Sequence, residues 1–524
     1  MKSKVAFQLI FGVVLFLGCN NPEYDILILN GDIYDGSGSA AFKADIAIKD
    51  SVIVGIGDLS EFKATRIIDA KGMAVAPGFI DMHAHLDPIL NLSDCESHVR
   101  QGVTTALGGP DGGSPWPIKT HLDSLDKIGV GMNIAYLVGH NQVRKNVMAL
   151  ENRAPTEEEL EKMKEQVSQA MEEGAFGIST GLKYLPGAFS KVDEVIELSK
   201  VASSMGGIYT SHLREEGLGL FDAVEEAISI SEKAEIPVIL THHKAIGKPM
   251  WGKSTVTLAM VDSARAAGLD IKLDQYPYNA SHTGISVLIP GWARAGGNEA
   301  FIERVQNPEL RDSIKSGIIF NILNDRGGED LKRIQFAKVK WNRNLEGKTL
   351  EYWCQLKGLE PTLENGADLV IEAQVNGGAS CIYHAMHEED VERIMKHPQT
   401  MIASDGRLVR PGQGHPHPRW YGTFPRVLGH YVREKSVITL PEAIYKMTQL
   451  PASSLGLTNR GSIKENMMAD LVIFDPNTII DKATFEEPHQ YPEGIHFVLV
   501  NGQVSIDESK FKGLKAGKVL RKKH

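Results

Sequence analysis

The sequence predicts an α/β protein built as a (β/α)8 TIM-like barrel, joined to a small β-sandwich domain that draws on both chain ends. Three observations lead there. Eight short β-like runs recur between about residues 78 and 406. Amphipathic segments of helical period separate many of them, which argues for parallel βαβ units. Outside that block the strands are short and broken by Gly, Asn and Asp turns.

From the N-terminus, residues 1–19 read as a targeting segment. Lys2 and Lys4 precede "VAFQLIFGVVLFLGC", an apolar run of signal-peptide length ending in Gly18 and Cys19. The run is too short for a convincing membrane span. A small residue before cysteine resembles a bacterial lipoprotein signal, although Phe16 stands where such signals usually carry leucine. Lipidation of Cys19 would tether an exported domain to the periplasmic membrane surface or cell envelope without crossing it. An ordinary cleaved signal is the alternative.

Residues 24–76, beginning "YDILILNGDIYDG", are expected to open the sandwich, and 453–505, with "ADLVIFDPNTIID" and "FVLVNGQV", to complete it. The barrel is expected over 77–452. Its eight runs are "GFIDMHAH", "VTTALGG", "NIAYLVGH", "AFGISTG", "GIYTSHL", "PVILTHHK", "IKLDQYPY" and "MIASDG". Thr156 to Gly174 is a clear helix between two of them. Residues 291–399, between the seventh and eighth runs, are too long for a barrel connection and predict an inserted subdomain or lid.

Of the 524 residues, 42% are hydrophobic and 23% charged, as in a large globular enzyme. The net charge of −10, with no basic tract before the "KKH" tail, excludes a nucleic-acid partner and leaves a small molecule. Cys95, Cys354 and Cys381 are widely spaced and show no C-x-x-C pairing, so neither a disulfide framework nor a thiolate zinc site is expected.

The chemistry lies at the ends of the runs. On a strand, residues i and i+2 point the same way, so Asp81, His83 and His85 are expected to project together. Converging neutral imidazoles at a barrel mouth are natural Zn2+ ligands. His212 closes the fifth run, His242 and His243 the sixth, and Asp405 the eighth. This ordered set resembles the amidohydrolase superfamily, and the likeness spans nearly the whole chain beyond the leader.

A narrower match follows from "GISTGLKYLPG", "YTSHLREEG", "LTHHK", "YPYNAS", "MIASDG" and "HPRWYGTFPRVLG". Together these resemble the N-acyl-D-amino-acid deacylase family. The resemblance implies one tightly held zinc on His212 and His242, with His243 as the alternative to the latter, and a weaker second position at His83 and His85. The family's third ligand is a cysteine after the second run. Here the chain reads "GVTTALGGPDGG", with Asp111 in the cysteine's place. A carboxylate can ligate zinc and bridge two metals. Lys183, in "STGLKY", is the rival bridge, since other amidohydrolases use a carboxylated lysine after strand four.

Asp405 is the expected general base. The resemblance assigns the substrate's carboxylate to Lys244, Tyr278, Ser281 and Arg294, and His140 ends the third run as either a pocket or a structural histidine. The implied activity is zinc-dependent hydrolysis of an N-acyl-D-amino acid to a carboxylate and a free D-amino acid. A dipeptidase of the same fold acting before a C-terminal D-residue, and a non-catalytic surface binding protein, are the rivals.

Overall fold

The computed structural model describes residues 23–523; Cys19 and the rest of the leader lie outside the described residues. Both chain ends enter one hydrogen-bonded sheet of nine strands. Its N-terminal part centres on Tyr24–Ile33, antiparallel to Phe42–Lys49 and parallel to Ala64–Asp69 and Ala74–Pro77. Its C-terminal part runs through Leu471–Phe474, Ile495–Val500, Gln503–Asp507 and Lys510–Phe511. The weld between the ends is the antiparallel pair Ala74–Pro77 with Leu471–Phe474.

Period-two alternation decides what that weld covers. Leu471 and Ile473 pack with Ile28, Ile46 and Val75 in the sheet's own core, whereas Val472 and Phe474 pack into the core shared with the barrel's outer layer. The sequence expectation ended this region near residue 505; the structure carries it to Phe511. Beyond it the tail lies along the third barrel strand, with Val519 bridged to Ile134.

Eight parallel barrel strands follow in chain order: Phe79–Asp81, Val103–Gly108, a third in two pieces (Asn133–Tyr136 and Val138–Gly139), Gly177–Gly181, Ile208–His212, Val238–Leu240, Ile271–Gln275 and Thr400–Ile402. Neighbours pair in that order. Gly406–Arg407 then pairs in parallel with Ala84–His85, joining the eighth strand's exit to the first strand's and closing the ring. The interior is an apolar plug that includes Ile80, Leu107, Ala135, Phe176, Ile208, Ile239 and Met401. The alternation of strand and helix is therefore a (β/α)8 barrel whose strand ends all open on one face.

The helix expected over Thr156–Gly174 runs from Glu157 to Glu172. Thr156 caps it and exchanges hydrogen bonds with Glu159, while Met163, Val167, Ala170 and Met171 form its buried stripe. The insertion begins earlier than its length alone suggested. Ser281–Gly284 and Ile334–Lys338 both pair antiparallel with Ser380–Tyr383, and helices between them bury a separate core around Phe301, Ile318, Phe336 and Trp353. No helix among the described residues is long and apolar enough to cross a membrane.

Candidate metal centre

Six side chains meet above the barrel's strand ends. His83, His85, Asp111 and Asp405 form one group with metal-ligand spacing, and Asp111, His212 and His242 form a second, so Asp111 belongs to both. Its Oδ1 lies 3.4 Å from His83 Nε2, 3.4 Å from His242 Nε2 and 3.6 Å from His212 Nδ1. Its Oδ2 lies 3.5 Å from His85 Nε2. Asp405 Oδ1 stands 3.1 Å from His85 Nε2 and 3.8 Å from His83 Nε2.

The backbone works to produce this convergence. Asp111, His242 and Asp405 all have positive φ, at 55°, 36° and 45°. That region is unfavourable for L-residues outside glycine and is least costly for Asp and Asn. The Asp111 loop is held by Ser179, whose hydroxyl donates to the Gly109 carbonyl at 2.6 Å and accepts from the Gly112 N–H at 3.1 Å. Gly112 is required as glycine: φ is 74°, and a Cβ there would stand 2.1 Å from Asn141 Oδ1. Asp274 on strand seven fixes the other side, accepting from the His242 N–H at 2.6 Å.

Electrostatically the cluster calls for cations. Burial disfavours a charged His85, yet Asp111 and Asp405 outweigh it and push the imidazole up to about 10. Burial and Lys244 oppose charge on His242, but Glu216 and Asp111 carry it to about 9. Burial would raise Asp405, but the Arg419 guanidinium 3.0 Å away, with His85, holds it well below the usual carboxylate range. His83 Nε2 and Asp111 Oδ1, 3.4 Å apart, are both buried without a hydrogen-bond partner, and His212 turns its Nδ1 to Asp111 and its Nε2 toward Glu216. Orphaned donor atoms of imidazole and carboxylate, converging on shared points, fit Zn2+ in each of the two positions.

The structure also sorts the sequence expectations. Asp81 does not join the histidines. The chain turns after it, and its carboxylate accepts from the N–H groups of His83 (3.2 Å) and Ser404 (2.9 Å), bracing both exits. His243 faces away and bonds Thr257 at 2.8 Å, leaving His242 as the inward histidine. Lys183 is bound to both oxygens of Glu215, at 2.6 and 2.7 Å, and stands outside both metal groups. His140 bonds Glu194 at 2.8 Å, away from the cavity, beside the buried Arg144–Glu194 ion pair.

A cavity of about 650 Å3 opens over the metal groups. Lys244 and Ser281 line it; Tyr278 and Arg294 do not. A tight turn, in which the Tyr278 N–H donates to the Tyr276 carbonyl at 3.0 Å, separates the two tyrosines. Tyr276 lines the cavity, while Tyr278 sits under Arg426 and points its hydroxyl at Asp481. Arg294 ends a short helix inside the insertion. Lys244 is itself engaged, donating to Glu216, to the His242 carbonyl (2.8 Å) and toward His242 Nδ1 (2.7 Å).

Cavity residues left unassigned by the sequence include Arg419, Arg326, Glu216 and Tyr276. Arg419 lies within the "HPRWYG" motif, which was the available signal. Its guanidinium covers the Tyr276 ring at 4.5 Å, and its Nε and Nη1 are buried without partners. Arg326 comes from the insertion, where no motif marks it.

The chain matches the amidohydrolase family over residues 66–301 and 364–506. It is 36% identical to D-aminoacylase from Alcaligenes xylosoxydans xylosoxydans, over 96% of this chain and 98% of that one. It is 35% identical to N-acyl-D-glutamate deacylase of the same organism, over 92% and 93% of the two chains. The structure of N-acyl-D-glutamate deacylase from Bordetella bronchiseptica, complexed with zinc and a phosphonate inhibitor that mimics the tetrahedral intermediate, matches with a TM-score of 0.81. That likeness holds at 33% identity over 95% of this chain and all of that one (100%).

Proposed function

This chain belongs to the amidohydrolase family, and on that footing we propose that it hydrolyses the amide bond of N-acyl-D-amino acids with zinc as its cofactor. The observation that carries the reading is the pair of metal groups sharing Asp111, set beside an ionised Asp405 at the floor of the cavity. His212, His242 and Asp111 would hold the working zinc, and His83, His85, Asp111 and Asp405 the second position. Zinc so held supplies a Lewis acid for the acyl carbonyl and acidifies water toward neutral pH.

The chain's own residues supply the remainder. Asp405 Oδ1 takes the proton of the attacking water as its oxygen bonds to the carbonyl carbon, and returns it to the nitrogen as the C–N bond breaks. The products are a carboxylate and a free D-amino acid. Arg419 has a double duty in this reading. Nη2 keeps Asp405 ionised and ready to accept, while the unpartnered Nη1 offers a single charged donor to the substrate's α-carboxylate, with the unpartnered Tyr276 hydroxyl beside it. Lys244 acts through Glu216 and His242 instead of through the substrate.

The two halves of the cavity wall suit the two halves of such a substrate. Leu86, Leu90, Pro110 and Pro115, from the loops after strands one and two, give an apolar side for the acyl group. Tyr276, Ser281 and Arg326, after strand seven, give a cationic, polar side for the amino acid. The test is a panel of N-acetyl-D- and N-acetyl-L-amino acids with zinc-loaded protein; no hydrolysis of any D-compound would end the proposal. We further propose that Cys19 is lipidated and holds the enzyme at the cell envelope. Loss of membrane-fraction activity in Cys19→Ser tests this, and an unchanged distribution refutes it.

A further inference from the structure

Polar atoms are unevenly satisfied around the cavity wall. Those buried without a partner outside the metal groups, among them Nη1 of Arg419, the Tyr276 hydroxyl and Nε of Arg326, come from the loops after strands seven and eight and from the insertion. On the opposite side, over the loops after strands one to three, each polar side chain of the lining is already engaged. Ser114 Oγ accepts from the Gly139 N–H at 3.0 Å, and His121 Nε2 meets the Tyr136 hydroxyl at 3.0 Å. Gln142 donates to Asn146 at 2.8 Å. Asp87, at the rim with its side chain 63% exposed, faces Arg407 at 3.5 Å.

The apolar lining begins beside the metal ligands themselves. Leu86 follows His85 and Pro110 precedes Asp111, so an acyl carbonyl drawn to the metal groups has its substituent against these two side chains. The rest of the wall is Leu90, Pro115 and the rings of Tyr136 and His121, which meet edge to face at 5.0 Å. Glycine makes room for it. A Cβ on Gly108 would stand 2.8 Å from the Tyr136 ring and 2.9 Å from Leu86, whereas one on Gly113 would meet nothing nearer than the Pro110 carbonyl oxygen at 3.7 Å.

A cavity of about 650 Å3 suits a drug-sized ligand, roughly twice an N-acetyl amino acid of about a dozen heavy atoms. A polar acyl group would find no free partner on this side. An aminoacyl group, as in a dipeptide, would bring an ammonium to a wall whose one carboxylate outside the metal groups, among the described residues, is the rim residue Asp87.

Resting on the hydrolase reading above, we propose that this groove is a subsite for hydrocarbon acyl groups longer than acetyl, straight-chain or aryl-terminated, and that it rejects aminoacyl groups. Leu90 and Gly113 are on this account specificity-determining positions, the first supplying apolar wall and the second free length.

The experiment compares kcat/KM for the N-acetyl, N-propionyl, N-hexanoyl, N-phenylacetyl and N-glycyl derivatives of one D-amino acid. From acetyl to hexanoyl it should rise by ~2–4-fold per methylene, the scale of burying one CH2. The glycyl compound, isosteric with the propionyl one, should lie ~10–100-fold below it. Gly113→Leu fills the groove and should cut the hexanoyl-to-acetyl ratio by ~10–100-fold. Leu90→Ser should flatten the rise per methylene. Metal content per chain reports whether the variants are folded. Hexanoate should inhibit the wild type at lower concentration than acetate, which reads the same groove without a variant. A flat or falling series in the wild type overturns the proposal, as does glycyl turnover equal to propionyl. An unchanged hexanoyl-to-acetyl ratio in both variants also overturns it. If no derivative of any chain length is hydrolysed, the hydrolase reading falls and takes the groove with it, whereas a flat series among hydrolysed compounds removes the groove alone.

Discussion

Replacing Asp111 by asparagine is the sharpest perturbation of the metal centre, because one carboxylate serves both groups. Asparagine is the right substitute on backbone grounds: at φ 55° it is, with Asp, among the non-glycine residues best able to hold the conformation. The change therefore removes charge and ligand strength without refolding the Pro110–Gly113 loop. Asp111 is one of only three donors in the group with His212 and His242, and the only anionic one. Loss of a partner that merely orients a ligand already costs metal affinity about 10–100-fold, so loss of a ligand should cost at least ~100-fold, or about 3 kcal/mol. The four-donor group keeps Asp405 and should suffer less. Metal content after dialysis against a weak chelator, with a competition titration for affinity, measures both. Wild-type stoichiometry and affinity in Asp111→Asn would refute the argument that this carboxylate bridges the two positions.

Metal binding should release protons in proportion to the perturbed histidines. With His85 at about 10 and His242 at about 9, both are protonated in the apo protein at pH 7. Each must lose its proton to ligate, so about two protons leave per chain, and affinity climbs with pH until about pH 9 at the His242 position and about pH 10 at the His85 position. Calorimetry in buffers of different ionisation enthalpy counts them; no proton release would contradict the site's electrostatics. Asp405→Asn should lower kcat by ~10²–10⁴-fold while His212 and His242 retain their metal, read by turnover and metal analysis together. Arg419→Met removes the cation that holds Asp405 ionised and one charged donor to the substrate, so KM should rise and the acid limb of the kcat profile move to higher pH. Glu194→Ala leaves Arg144 buried and unpaired beside His140 and should cost about 3–5 kcal/mol in chemical denaturation without changing KM, as befits a structural histidine cluster.

Much of this was legible before any coordinates. The eight strand ends were visible because hydrophobic runs stop abruptly at histidine, glycine or aspartate, and a barrel brings those stops to one face. What the sequence concealed is instructive in each case. Tyr276 and Tyr278 are separated by one proline in "YPYNAS", and only the tight turn at Tyr278 decides which one faces the substrate. Asp81 sits at strand spacing from His83, but the bend after strand one breaks the alternation that spacing implies. Arg294 is an arginine near the right place in the chain, yet the insertion folds it into its own structure and presents Arg326 from more than thirty residues further on. Local pattern carries no information about such a return.

The strain and the electrostatics of the centre make sense only together. Three of the six converging side chains, Asp111, His242 and Asp405, stand on left-handed backbone, each at a local cost. Two buried carboxylates then face four imidazoles with orphaned donor atoms among them, which is a poor arrangement for an empty core. A fold that selected only for stability would relax both. The barrel instead over-determines them: Ser179 clamps the Asp111 loop, Asp274 holds the His242 backbone, and Asp81 ties the exits of strands one and eight together. These supports lie beneath the cluster on rigid strands, and they fix donor atoms that are satisfied only when cations enter. Arg326, delivered by the insertion, is likewise buried with its Nε unpartnered. The cavity floor is thus preorganised for cations that satisfy the converging donor atoms.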